Sequence, residues 1–446
     1  MKRLVETISN IWKIDELRNR ILLTLGFLLM YRLGSYVVLP GVDSSQLEVA
    51  SGTPNGLAGL LNVFAGGAFS RASIFALGIM PYISASIVMQ LLGIAVPSVQ
   101  KMQKEGESGR RKINQWTRFL TILITAGQAP GYLATQVPDV AIMSPGFFSF
   151  TLPSILILAT GTMFVMWLGE KITDRGIGNG ISLIIMIGII ANLPTAFLFE
   201  FDKQTGLEGG GLIILLVEVV ALLLVILLTV LLIQGVRRVP VQFAKKMVGG
   251  QNQAVGGARQ YIPLKVNGAG VMPIIFAQAL MFVPMSLVGV FDSDAVASIA
   301  TVFSDITGFW YNFVFAVLII VFTYFYTAIT INPQQMADDL KKNGGFVPGI
   351  KPGKHTADFI DNILSRITLP GSLFLALIAI LPAFAVMAGV TQNFSYFFGG
   401  TSLLIMVGVV LDTLQQIESY LLMRHYDGLM KAGKLKGRTS AFGVAG

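Results

Sequence analysis

The sequence predicts an all-α polytopic membrane protein with ten transmembrane helices in two inverted five-helix halves. Three observations carry that expectation. Hydrophobic residues make up 54% of the 446 and charged residues only 13%, against roughly 25% charged in soluble domains. Ten apolar runs, each long enough to cross about 30 Å of hydrocarbon, alternate with polar or Gly/Pro-rich connections. Of the 32 Lys and Arg, 29 lie in the N-terminal tail, in every second connection after it and in the C-terminal tail. Basic residues collect on the cytoplasmic side, so both termini lie inside. A missed or invented span would scramble that division. The net charge of +8 is therefore topological rather than a nucleic-acid footprint.

The first 20 residues read as a cytoplasmic amphipathic segment, with Leu4, Ile8, Ile11 and Trp12 on one helical face. No cleavage site follows, so the first span serves as its own uncleaved signal. The N-terminal half occupies residues 21–198, with spans near 21–39, 74–95, 119–137, 150–168 and 181–198. An external connection, 199–211, leads to the C-terminal half at 212–423, with spans near 212–233, 270–291, 309–331, 367–389 and 401–423. Two cytoplasmic loops, 234–269 and 332–366, are longer than connections usually are without a function. A cytoplasmic tail, 424–446, ends the chain. An odd number of spans per half requires any internal repeat to be inverted, with a cavity between the halves.

Residues 56–69, GLAGLLNVFAGGAF, are apolar but too short to span. They are either a re-entrant plug or an outer surface helix. GIGNG at 176–180 lacks the Lys and Ser/Thr of a phosphate loop and joins two spans, so it reads as a tight turn. The absence of cysteine removes disulfides, thiolate metal sites and a thiol nucleophile, and His355 and His425 are far apart without neighbouring ligand patterns. No catalytic centre, metal or cofactor is expected. Arg32, Glu218 and Asp412 are ionisable groups in or near spans, where charge is costly. They are the best case for an ion-coupled secondary transporter of a small solute, with Asp412 as its one central carboxylate. Glu218, about two turns from the outer end, can snorkel.

Six phrases then point to a family: SRASIFALGIMPYISASIVMQLL (70–92), GEKITDRGIGNGIS (169–182), RRVPVQFAKK (237–246), YIPLKVNGAGVMPIIFA (261–277), INPQQMADDLKKNGGFVPGIKPG (331–353) and GGTSLLI (399–405). In this order, across nearly the whole chain, they resemble the SecY family, the channel subunits of the Sec protein translocon. The resemblance implies a central pore closed by a short plug helix, in the bacterial inner (plasma) membrane. It also implies transport of unfolded, signal-bearing polypeptides and lateral release of hydrophobic segments into membrane lipid, without enzyme activity. Implied partners are the small membrane subunits SecE and SecG, the SecA motor ATPase, the ribosome, and nascent or precursor polypeptides.

The family's aliphatic pore ring maps onto Ile83, Ile87, Ile185, Ile189, Ile275 and Ile405. Each i,i+4 pair in that set shares one helical face. The plug maps onto 56–69, including Gly56, Leu60, Leu61, Asn62, Phe64, Gly66 and Gly67. The second and seventh spans resemble the lateral gate, with Pro81, Ser84, Ser86, Gln90, Pro273 and Gln278 along them. Pro81 and Pro273 are expected to loosen these helices or to kink them for packing. Arg237, Arg238, Lys245, Lys246 and Arg259 in one loop, and Lys341, Lys342, Lys351 and Lys354 in the other, resemble the docking surface for motor and ribosome. Two departures stand out. Lys351 replaces a common Arg and lacks its fork of donors, and Arg259 stands alone at a loop tip where the family often has a further Arg pair.

Overall fold

A computed structural model describes residues 12, 14–50, 56–206, 211–243, 260–288 and 305–431. Residues 1–11 and 13 of the expected amphipathic segment lie outside the described residues, as does the tail beyond residue 431. Among the described residues, ten helices have 16 residues or more. In the first half they are α1 (Asp15–Gly34), α3 (Met80–Ala95), α4 (Glu107–Gln136), α5 (Leu152–Arg175) and α6 (Gly180–Thr205), with the short α2 (Gly56–Phe64) between α1 and α3. The second half has α7 (Gly211–Gln234), α8 (Met272–Val288), α9 (Phe309–Thr330), α11 (Lys354–Met387) and α12 (Gly400–Lys431), with α10 (Pro333–Lys342) on the inner side. Leucine-rich faces, such as Leu212, Leu216 and Leu223 of α7, stay exposed, as a lipid boundary requires.

Several helices outrun their apolar segments. α4 begins at Glu107 and α11 at Lys354, each a dozen residues or so before hydrophobicity rises. The extra turns are polar and lie on the inner side, where pairs such as Arg111 with Glu107 at 2.6 Å support them. Hydropathy marks membrane depth rather than helix length. α3 departs the other way. The expected span starts at 74, yet residues 65–79 form successive turns and the helix begins at Met80.

That boundary corrects the reading of two prolines. Pro81 and Pro273 are each the second residue of their helices. A proline in the first turn has no intrahelical acceptor to lose, and its fixed φ suits helix entry. They start α3 and α8 rather than kinking or loosening them.

The two long inner loops form one body, which the sequence analysis did not anticipate. β1 (Val236–Phe243) pairs antiparallel with β2 (Gln260–Lys265) on one edge and with β3 (Gly345–Phe346) on the other, giving the order β2-β1-β3. Val239 and Val241 are buried while Arg238 and Pro240 are exposed, the period-two pattern of a half-buried strand. Their inner face packs on Leu264, Val347, Ile360 and Leu364.

Two asparagines start helices locally. The GIGNG turn ends in Asn179, whose side chain accepts from the Ile181 and Ser182 amides to cap α6. Asn332 caps α10 in the same way.

On the outer side, the end of α6 is tied to the second half. Glu200 accepts from the Thr391 amide at 2.7 Å and from the Thr391 hydroxyl. Gln204 Nε2 donates to Glu200 at 2.9 Å and to Glu218 at 3.0 Å, and Lys203 Nζ donates to the Gly389 carbonyl at 2.6 Å. Glu218 is 7% exposed, so the expected snorkelling does not occur: Gln204 holds it inward.

Candidate functional site

The centre of the molecule is an apolar junction between the two halves. One face of α6 presents Ile185, Gly188, Ile189 and Asn192 at i, i+3, i+4 and i+7 spacing. Ile185 and Ile189 are buried there together with Ile83 from α3 and Ile405 from α12, while Ile87 and Ile275 pack against the same cluster half-buried. The six residues expected to form a ring thus lie in one continuous apolar cluster. Leu60, Val63 and Phe64 of α2 belong to it as well.

α2 has two faces. Leu60 and Phe64 point to this junction, whereas Leu61 joins a second cluster with Phe69, Tyr132 and Leu158. The helix stops at a glycine pair. Gly66 (φ 67°) and Gly67 (φ 83°) adopt the left-handed conformation, and their amides bond back to Val63 O at 3.1 Å and Asn62 O at 2.8 Å. This is a Schellman ending, which requires the positive φ that glycine supplies. The glycine pair is a helix stop.

The turn after α2 is held by donors from the surrounding scaffold. Tyr31 donates to Ala65 O at 3.3 Å, Arg32 Nη1 to Gly66 O at 2.9 Å, and Tyr132 to Phe69 O at 2.7 Å. Asn192 Nδ2 reaches Val63 O at 3.2 Å, Asn62 O at 3.4 Å and its own helix at Gly188 O. Arg71 folds back on Gly67 O at 2.9 Å and Gly66 O at 3.1 Å, with its guanidinium 4.2 Å from the Tyr36 ring centre. Asn62 Oδ1 accepts from the Ser70 amide at 3.0 Å. A Cβ on Gly188 would overlap the Phe64 carbonyl oxygen, so α2 and α6 meet backbone to backbone. None of Tyr31, Tyr132 and Asn192 was singled out in the sequence. Arg32 was, but as part of a transporter reading.

Beside α2 an apolar cavity is lined by Tyr31, Leu61, Phe64, Ser84, Ile185 and Ala279, reaching the seam where α3 meets α8. Along the seam, Gln90 Nε2 donates to Ser86 at 3.4 Å. Gln278 is 2% exposed, buried on the same seam. On the outer rim, Asp43 accepts from the Ser45 hydroxyl at 2.7 Å, which with the Ser45 amide holds its carboxyl below the usual range.

On the inner side Arg237, Arg238, Lys341, Lys342, Lys351 and Lys354 are all exposed. Pairing of β1 with β3 brings the two loops that carry them together. Lys245, Lys246 and Arg259 lie outside the described residues. Asp412 is exposed and does not sit centrally: its neighbour Thr413 approaches Gly178, and Gln416 accepts from the Gly178 amide at 2.8 Å. Both contacts are with the inner α5–α6 turn, so Asp412 stands close to the level of that turn rather than at mid-membrane.

The SecY family model matches residues 73–414, more than half of the chain. Protein translocase subunit SecY of Streptomyces scabiei is 43% identical over 435 residues, covering 94% of this chain and 98% of that protein. The Aquifex aeolicus subunit of the same name is 40% identical over 434 residues, covering 96% and 99%. Among solved structures, one described as a protein conducting channel aligns with a TM-score of 0.59 at 16% identity over 95% of both chains. Sec61 in the canine ribosome-channel complex aligns with a TM-score of 0.55 at 15% identity, also over 95% of both. The fold is therefore the ten-helix channel fold, and the sequence relationship runs nearly end to end: the chain belongs to the SecY family.

Proposed function

We propose that this chain is the protein-conducting channel of a bacterial inner-membrane translocon. It passes unfolded, signal-bearing polypeptides between its two halves and releases hydrophobic segments sideways into lipid. The observation that carries this reading is the convergence of Ile83, Ile87, Ile185, Ile189, Ile275 and Ile405 with α2 in a single apolar cluster at the junction of the halves. An aliphatic constriction holds no continuous water column and binds no ion, yet yields to a passing chain without gripping its side chains. α2 is the plug that seats against this ring from outside. Residues 21–198 and 212–423 are the bodies that part. The seam between α3 and α8, with Ser84, Ser86, Gln90 and Gln278 along it, is the exit to lipid.

Work for transport comes from partners, and the chain itself performs no catalysis. Its exposed inner cations suit the SecA motor and the ribosome, and SecE and SecG complete the complex. The transporter alternative loses the groups it needs: Arg32 serves the turn after α2, Glu218 the outer tie, and Asp412 stands close to the level of the inner α5–α6 turn.

Polar substitution in the ring tests the proposal. Ile405→Asn or Ile87→Asn should let cells export a precursor with a defective signal sequence, because a wetted seal costs less to open. Asp412→Asn should leave export unchanged. The opposite pattern would restore the transporter.

A further inference from the structure

The plug's seat is polar on the side where its helix ends. Three features of that end bear on how it is held. The Schellman turn satisfies Asn62 O and Val63 O once each, and each oxygen retains a second lone pair. Asn192 Nδ2 fills that second position on both, from the same helical face that carries Ile185 and Ile189. The assignment of its amide is fixed by chemistry, since every partner within reach of that nitrogen is a carbonyl oxygen. Arg32, from α1, adds a cation at Gly66 O, just past the helix's carboxyl end, where the backbone dipoles concentrate negative charge. Among the described residues no carboxylate pairs with Arg32; its other contacts are the Tyr36 hydroxyl at 3.4 Å and ring at 5.5 Å.

We propose that Asn192 and Arg32 are positioning residues that latch the plug shut by capping the carboxyl end of its helix from the fixed scaffold. The latch rests on the reading of α2 as a plug. Its logic is a division of labour. The apolar faces of Leu60 and Phe64 bring the plug against the ring but do not fix its depth, since apolar packing is tolerant of small slides. Directed bonds to carbonyls of residues 62, 63 and 66 set the depth and register. The latch is also reversible. When a passing chain displaces the plug, the Schellman bonds stay within α2, so its carbonyls leave with one partner each and meet water in the opened pore. Asn192 and Arg32 are hydrated at the same moment, so release costs the net value of these bonds and not that of stripped polar groups. The Cβ-free contact at Gly188 allows the close approach on which the Asn192 bonds depend.

Asn192→Asp keeps the shape of the side chain and replaces the donor with an acceptor facing three carbonyls. The test measures resting ion leak from vesicles containing the complete channel complex, in four forms: the natural chain, Asn192→Asp, a chain lacking residues 56–69, and both changes together. Losing about one net hydrogen bond changes an equilibrium by roughly tenfold, so Asn192→Asp should raise leak about that much. It should add nothing in the chain that lacks the plug. Arg32→Gln should behave in the same way, and Arg32→Lys should recover part of the seal; this pair decides the matter should Asn192→Asp fail to assemble. An unchanged leak in Asn192→Asp and Arg32→Gln would overturn the latch, as would an equal rise with and without the plug. If removal of 56–69 itself leaves leak unchanged, the plug reading fails, which is a separate result.

Discussion

Gly188 lacks a side chain where the carbonyl of Phe64 comes down onto α6, and that single absence decides how deep the plug can sit. Gly188→Ala should force the turn outward. Overpacking of this kind costs about 1–3 kcal/mol, and the resting complex should become leaky while its helix content, read by circular dichroism, stays the same. On the outer side, Glu200 is fully buried and its carboxylate depends on Thr391 for two of its donors. Thr391→Val removes the hydroxyl and should destabilise the complex by about 1–3 kcal/mol, seen as a lower unfolding temperature in detergent. Residues of this kind were illegible in the sequence for a physical reason. An asparagine or a tyrosine in a span signals only that some partner exists; that Asn192 meets carbonyls of α2, and Tyr31 one in the turn after it, depends on a packing between segments more than a hundred residues apart in one case and over thirty in the other. Arg32 was legible as a group with a role, because charge in a membrane needs a reason, but its partner is a backbone carbonyl, which no residue-type pattern records.

At the scale of elements, the starts of α3 and α8, the proposed gate helices, carry a prediction. Pro81 and Pro273 lie in first turns, so Pro81→Ala and Pro273→Ala should leave lateral release of a membrane segment nearly unchanged; a strong defect would show that the prolines act as hinges after all. Helix ends were hard to read because hydropathy follows the bilayer while α4 and α11 continue through polar sequence on the inner side. The strands were missed because the alternation of β1, Arg238, Val239, Pro240, Val241, lies inside a loop that reads as charged. Their pairing places Arg237 and Arg238 on the same body as Lys341 and Lys342. Arg237→Glu with Arg238→Glu should weaken binding of the ribosome, and the loss should shrink as salt rises, because phosphate contacts are themselves screened. An affinity loss independent of salt, measured by sedimentation across ionic strengths, would point to a packing defect in the loops.

At the scale of the whole molecule, the two five-helix halves are tied on the outer side by Glu200, Lys203, Thr391 and Gly389, and the seam of α3 and α8 and the isoleucine cluster lie where the halves meet. Ten spans were readable from apolar runs and their orientation from charge, since 29 of 32 basic residues fall on one side. The ring was not, because an isoleucine facing a pore and one facing lipid are the same residue in sequence; the family resemblance supplied the positions, and the fold places all six together. The central claim is that a polypeptide passes through that cluster, and the chain's lack of cysteine and its defined inward positions make it direct to test. The measurement is photocrosslinking in living cells from a probe at Ile87, and separately at Ile275, to secretory chains arrested during export, each beside the exposed control Leu223 of α7. Adducts from Ile87 and Ile275 that require a functional signal sequence, with none from the control, are the predicted result. No adduct from either position while the arrested chains demonstrably occupy the complex would contradict the account, because the path would then lie elsewhere.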